Sequence, residues 1–139
     1  MDKNKDCRIL YFPLDLADKK SIEEFSQKVR ENCEKVDVLI NNAGLFKAQR
    51  AITKDGFEMT MGVNHLGHFY LTYLLWNSLK CAKTPRVINV SSNAHAGMGL
   101  IKYNAAIDFL DINFNNNYKG DLAYTRSKIA NILFTRSLQ

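Results

Sequence analysis

The sequence predicts a mixed α/β domain built around a parallel sheet. Three observations predict it. The 139 residues suit one domain. Hydrophobic residues make up 46% and charged residues 24%, the balance of a globular chain. Short β-leaning apolar runs alternate with stretches of helical spacing, in the order strand, helix, strand, helix, strand, helix.

Each element has a local reason. Ile9-Leu10-Tyr11-Phe12 is a short apolar run ended by Pro13 and followed by Leu14-Asp15-Leu16. Asp18 or Ser21 can cap a helix in which Ile22, Phe25, Val29 and Cys33 recur at spacings of three and four. Val36 to Ile40 reads as a buried strand running into the turn Asn41-Asn42-Ala43-Gly44. A long helical pattern passes through Leu66, Phe69, Tyr70, Tyr73, Leu74 and Leu79, with Pro85 as its breaker. Val87 to Val90 gives a third buried strand, ending at Ser91-Ser92. The stretch from Asn93 to Asp121 is irregular and polar, long enough to be a binding loop. Ala123 to Gln139 closes as an amphipathic helix. In parallel sheets ligands gather beyond the carboxyl ends of the strands. Asp15, the Asn-Asn-Ala-Gly turn and Ser92 are expected there.

Several classes are disfavoured. The net charge of +5 is spread among acidic residues without a basic run, which weakens a nucleic-acid reading. The apolar stretch from Phe69 to Trp76 is too short to span a bilayer. Met1 to Asp6 holds no apolar signal core, so a cytoplasmic chain is expected. Three cysteines without a C-x-x-C suit a reducing compartment. His65, His68 and His95 lack the spacing and the carboxylate of a metal site, so no metal is expected and they read as structural or cleft-lining. Phe69, Tyr70, Tyr73 and Trp76 read as core by their spacing, and Gly97-Met98-Gly99 as a loop.

Tyr124 and Lys128 form the sharpest pair. At i and i+4 they share a helix face. A neighbouring ammonium favours a phenolate and makes a tyrosine hydroxyl usable as a general acid or base. The bare pattern also arises by chance on helix surfaces. Ser92, at a strand end, can donate to a substrate oxygen or simply close a turn. No G-x-S-x-G elbow accompanies it. Asn64 is mildly unfavourable within a helix, which fits either a local kink or a group holding water near Lys128.

Taken in order, Leu14-Asp15-Leu16, Asn41-Asn42-Ala43-Gly44, Val63-Asn64-His65-Leu66-Gly67-His68-Phe69, Val90-Ser91-Ser92 and Tyr124-Thr125-Arg126-Ser127-Lys128 resemble the short-chain dehydrogenase/reductase superfamily. The closing Ser-Lys-Ile-Ala-Asn-Ile-Leu-Phe-Thr-Arg helix and the long interval between Ser92 and Tyr124 look most like its retinol-dehydrogenase-like branch. The resemblance implies a Rossmann-like doubly wound parallel sheet, here a partial NAD(P)-binding domain over 1–139 with three strands and flanking helices. It implies an oxidoreductase that interconverts an alcohol and a carbonyl on a lipophilic, retinol-like substrate, with NADP or NAD as cofactor and NADP favoured. Tyr124 would exchange the proton, Ser92 would bind the substrate oxygen, Lys128 would hold the nicotinamide ribose, and Asn64 would position a water. Asp15 and Leu16 would meet the adenine, and Asn42, Ala43 and Gly44 the adenosine ribose. A homodimer is a possible assembly, and any membrane anchor would belong to a longer parent.

The departures set a second expectation. The first glycine is Gly44, so the glycine-rich phosphate loop that opens such proteins is missing. The chain resembles an internal fragment, and alone it is expected to be an inactive or binding-only module.

Overall fold

The computed structural model describes residues 8–96 and 106–139. Gly97-Met98-Gly99, part of the expected binding loop, and Cys7 lie outside the described residues.

Helix α1 spans Lys19–Asn32. Asp18 is its cap: the carboxylate accepts from the backbone N–H of Lys20 at 3.0 Å and of Ser21 at 3.4 Å. Ser21 instead accepts from the N–H of Asp15 at 2.9 Å, closing the turn that leads in. The inward stripe of α1 puts Ile22 against Leu71 and Leu75, with Phe25, Val29 and Leu39 around them, and this cluster is the main core.

Strands β1 (Val38–Asn41) and β2 (Arg86–Asn89) run parallel, with Val38 opposite Arg86 and Asn41 opposite Asn89. Alternation puts Leu39, Asn41, Val87 and Asn89 on one face. Asn41 Nδ2 donates to Thr72 Oγ1 and Asn89 Oδ1, and Asn89 Nδ2 donates to Thr135 Oγ1. The helices therefore stack on that face. The opposite face, with Val38, Ile40 and Ile88, is exposed, Ile40 by 60%. The expectation of two strands buried on both sides is corrected, because no described element covers the second face.

The expected first strand does not form. Residues 8–14 run as coil, with Ile9 and Tyr11 each 86% exposed. A strand exists through its ladder, and no described strand pairs with this segment; Phe12 makes an edge contact with Phe25 at 6.3 Å. Among the described residues the sheet is two-stranded rather than three-stranded.

The long helical pattern is realised in pieces: α2 (Met59–Met61), a π-helical turn (Gly62–Leu66), α3 (Gly67–Leu74) and α4 (Trp76–Lys80). Leu75, at φ −94° and ψ 3°, breaks the last two, well before Pro85. Buried Glu58 caps α2, accepting from Thr60 and Met61. Phe69, Tyr73 and Trp76 are not core: they share a face turned away from the cluster, and Tyr73 is 68% exposed. Tyr70 is half-buried and donates to Glu23 at 2.6 Å. After β2, a 3₁₀ turn spans Asn93–Ala96. Helix α5 spans Gly120–Ser137, three residues earlier than its apolar pattern suggests. A Cβ at Gly120 would stand 2.3 Å from the carbonyl of Lys47, so only glycine lets α5 start this close.

Candidate functional site

The site is built where the carboxyl end of β2 meets α5. Val90, Ser91 and Ser92 leave the strand, and Ser91 Oγ donates to the carbonyl of Lys128 at 2.9 Å. This bond pins the strand end to the helix. On α5, Tyr124 and Lys128 stand one turn apart, with the Lys128 Nζ 5.5 Å from the centre of the Tyr124 ring. From the far side, residues 42–46 complete a hollow of about 500 Å³. Its lining includes Asn42, Gly44, Phe46, Ser92, Tyr124 and Lys128.

Each side chain is held by identifiable contacts. Lys128 as a residue is 3% exposed, and its ammonium donates to the Val90 carbonyl at 3.3 Å. Burial pulls its pKa below the ordinary lysine value. Tyr124 is half-buried, braced edge-on by Phe46 at 6.2 Å. Ser92 Oγ accepts from the N–H of Ala94 at 3.2 Å and lies 3.3 Å from Asn93 Oδ1. It therefore both lines the hollow and caps the 3₁₀ turn.

Asn64 stands behind the wall, in the π-helical turn. Its Oδ1 accepts from the N–H of Leu45 at 2.8 Å. Its Nδ2 donates to the Leu45 carbonyl at 2.9 Å and to Ser127 Oγ at 3.1 Å. The side chain thus clamps the 42–46 loop to α5. Its own carbonyl accepts from Asn131 Nδ2 at 3.0 Å and meets His68 Nδ1 at 3.1 Å. A carbonyl only accepts, so His68 carries its proton on Nδ1. Both lone pairs of that carbonyl are taken, leaving the second lone pair of Oδ1 as the open acceptor of Asn64. His65 and His68 are held within the fold, and burial lowers both their pKa values.

Tyr124, Lys128, Ser92, Asn42 and Gly44 are thus brought to one hollow, with Asn64 directly behind it. Ala43 is exposed and outside the lining. Asp15 and Leu16 lie elsewhere: the Asp15 carboxylate accepts from the N–H of Ala17, and Leu16 packs against the main core. The readings of residue type missed Phe46 and Asn131. Asn131 had one usable signal, its place three residues beyond Lys128 on the same helix.

The wall can hold a flat, hydroxylated ligand. It presents an ammonium, serine and tyrosine hydroxyls, and an open position at Gly44, where a Cβ would lie 3.5 Å from Lys128 Nζ. These groups fit a nicotinamide ribose. Among the described residues Lys128 is the sole cation in the lining. Among the described residues no cluster of His, Cys, Asp or Glu has the makings of a metal site. No described helix is long and apolar enough to cross a membrane.

Residues 2–107 match the family model described as short chain dehydrogenase. The chain is similar to retinol dehydrogenase 13 of Homo sapiens, 49% identical over 126 residues, covering 90% of this chain and 36% of that protein. Retinol dehydrogenase 14 of Mus musculus is 46% identical over 133 residues, covering 96% and 38%. The chain therefore spans less than two-fifths of the length of these relatives. An uncharacterized protein from Mycobacterium paratuberculosis superposes with a TM-score of 0.75 at 44% identity, over 91% of this chain and 42% of that one. An alcohol dehydrogenase from the archaeon Thermococcus sibiricus, complexed with 5-hydroxy-NADP, gives 0.64 at 26% identity, over 94% and 48%.

Proposed function

The chain belongs to the short-chain dehydrogenase family, and on that premise we propose that it carries the proton-transfer wall of an NAD(P)-dependent oxidoreductase interconverting a lipophilic alcohol and its carbonyl. One observation carries the reading: Tyr124 and Lys128 share one hollow at the sheet's carboxyl edge with Ser92, which is distant from them in sequence. When bound, the nicotinamide supplies or accepts the hydride; the protein supplies position and charge.

In the oxidative direction Tyr124 takes the proton from the substrate hydroxyl, and in the reductive direction it returns one to the carbonyl oxygen. Ser92 donates a hydrogen bond to that oxygen and stabilises the charge that develops on it. Its bond to Asn93 must turn for this, a rotation about one side-chain torsion. Lys128 stabilises the phenolate by charge and holds the nicotinamide ribose with the N–H groups that Val90 leaves free. Asn64 is a positioning residue, offering its remaining Oδ1 lone pair to a water beside Gly44. We assign Asp15 and Leu16 to the adenine, and Asn42, Ala43 and Gly44 to its ribose.

NADP is the favoured cofactor, a preference supported by the NADP analogue on the archaeal neighbour. A retinol-like substrate is supported by the names of the similar mammalian proteins.

The test is reduction of a lipophilic aldehyde, followed by loss of reduced-nicotinamide absorbance, with NADPH and NADH in parallel. Tyr124→Phe is expected to lower kcat about 10²–10⁴-fold. Equal rates for wild type and variant would remove Tyr124 from the chemistry. Titration calorimetry with each dinucleotide reads binding separately, so a chain that binds without turning over is recognised as a binding module.

A further inference from the structure

Asn131 is 3% exposed, and its amide is nearly saturated. Nδ2 donates to two main-chain carbonyls, Asn64 at 3.0 Å and Val90 at 3.2 Å. Oδ1 lies 3.1 Å from His65 Nδ1, and because Oδ1 only accepts, His65 is the donor. One side chain thus ties the π-helical turn and the end of β2 to α5.

Both carbonyls matter to Lys128. That of Val90 is the acceptor for the Lys128 ammonium, so lysine and asparagine share it. That of Asn64 is filled by Asn131 and His68. Lys128 and Asn131, three residues apart, sit on one face of α5 and reach the same strand end. We propose that Asn131 is a positioning residue for Lys128: by filling the Asn64 carbonyl and sharing that of Val90, it denies the lysine a deeper seat and keeps Nζ at the Gly44 wall of the hollow.

The counterfactual is physical. Without Asn131 each of the two carbonyls keeps one donor, Asn64 that of His68 and Val90 that of Lys128, and loses the other, so a lone pair on each is opened to a new donor. The nearest mobile donor is the Lys128 ammonium. It would turn inward and gain acceptors, which favours its charged form. The titratable groups facing it are Tyr124 from its own helix and His68 from α3, and among the described residues no carboxylate lines the hollow.

The inference rests on Lys128 being a ligand-holding group, yet its test needs no turnover. Lysine labelled with ¹³C at Cε is titrated by NMR in wild type, Asn131→Ala and Ala130→Gly. The last weakens α5 without touching either carbonyl. Asn131→Ala is expected to raise the Lys128 midpoint by about one pH unit, a tenfold change in proton affinity. Ala130→Gly is expected to leave it in place. An unchanged midpoint in Asn131→Ala overturns the proposal, as does an equal rise in Ala130→Gly. Should Asn131→Ala not fold, wild type decides: the Asn131 side-chain amide resonances must move with the Lys128 titration, and their indifference overturns the proposal. A failed turnover assay would leave this result standing, so the two readings fall separately.

Discussion

His65 and His68 show how burial becomes pH dependence at a single residue. Desolvation lowers both pKa values below the ordinary 6.5. The unfolded chain therefore binds these protons at a higher pH than the folded chain does. Stability is complete above about 6.5 and falls as pH drops from there through the folded values. His68→Gln, which does not titrate, is expected to flatten the fall of the urea midpoint between pH 7 and 5. An unaltered slope would place the acid sensitivity elsewhere. Lys128 acts with the same sign at higher pH: its lowered pKa means that stability rises as pH climbs through the folded value toward the unfolded value of 10.5. The glycines add a steric contrast. At Gly120 an added methyl meets the Lys47 backbone at 2.3 Å, whereas at Gly44 it meets side chains at 3.4 and 3.5 Å. Gly120→Ala should lower stability by about 1–3 kcal/mol by overpacking, and Gly44→Ala should leave the melting temperature nearly unchanged. Differential scanning calorimetry of the pair checks both.

At the scale of elements, the entrance to the π-helical turn depends on one enclosed carboxylate. Glu58 accepts from Thr60, Met61 and, at 3.3 Å, the hydroxyl of Tyr118. Glu58→Ala is expected to cost about 1–2 kcal/mol in urea unfolding, the loss of a helix cap, with more if the Tyr118 loop also loosens. The sequence announces some of these elements and hides others. Asp18 was legible as a cap because an acceptor before an apolar stripe has one obvious use. Asn64 stood out as an unfavourable residue in a helical run, but the π-helical turn around it was not readable, since α and π turns carry nearly the same apolar spacing over five residues. Residues 8–14 have strand composition and no strand, because pairing belongs to a partner and not to the segment itself.

Across the whole molecule, the helices crowd one face of a two-stranded sheet. Val38, Ile40 and Ile88 stay open on the other, and Phe69, Tyr73 and Trp76 form a second exposed patch. Contiguous apolar surface of this kind promotes association. The chain at tens of micromolar is expected to bind a dye such as ANS strongly and to sediment with a weight that grows with concentration. Weak dye binding and a constant monomer weight would show those faces covered in solution. The order of motifs told that a tyrosine, a lysine and a serine would meet, because parallel sheets collect their strand ends along one edge. Which aromatic faces would be covered was not legible, as an apolar stripe looks the same whether it meets a core or nothing.

The clamp around Asn64 has a kinetic meaning. Its bonds to Ser127 and Asn131 span 63 and 67 residues, and the one from Lys128 to Val90 spans 38. Contacts of such separation close large loops, an entropic burden that defers them to late in folding. The wall of the hollow is therefore among the last parts to assemble, and amide exchange near Lys128 should require opening most of the fold.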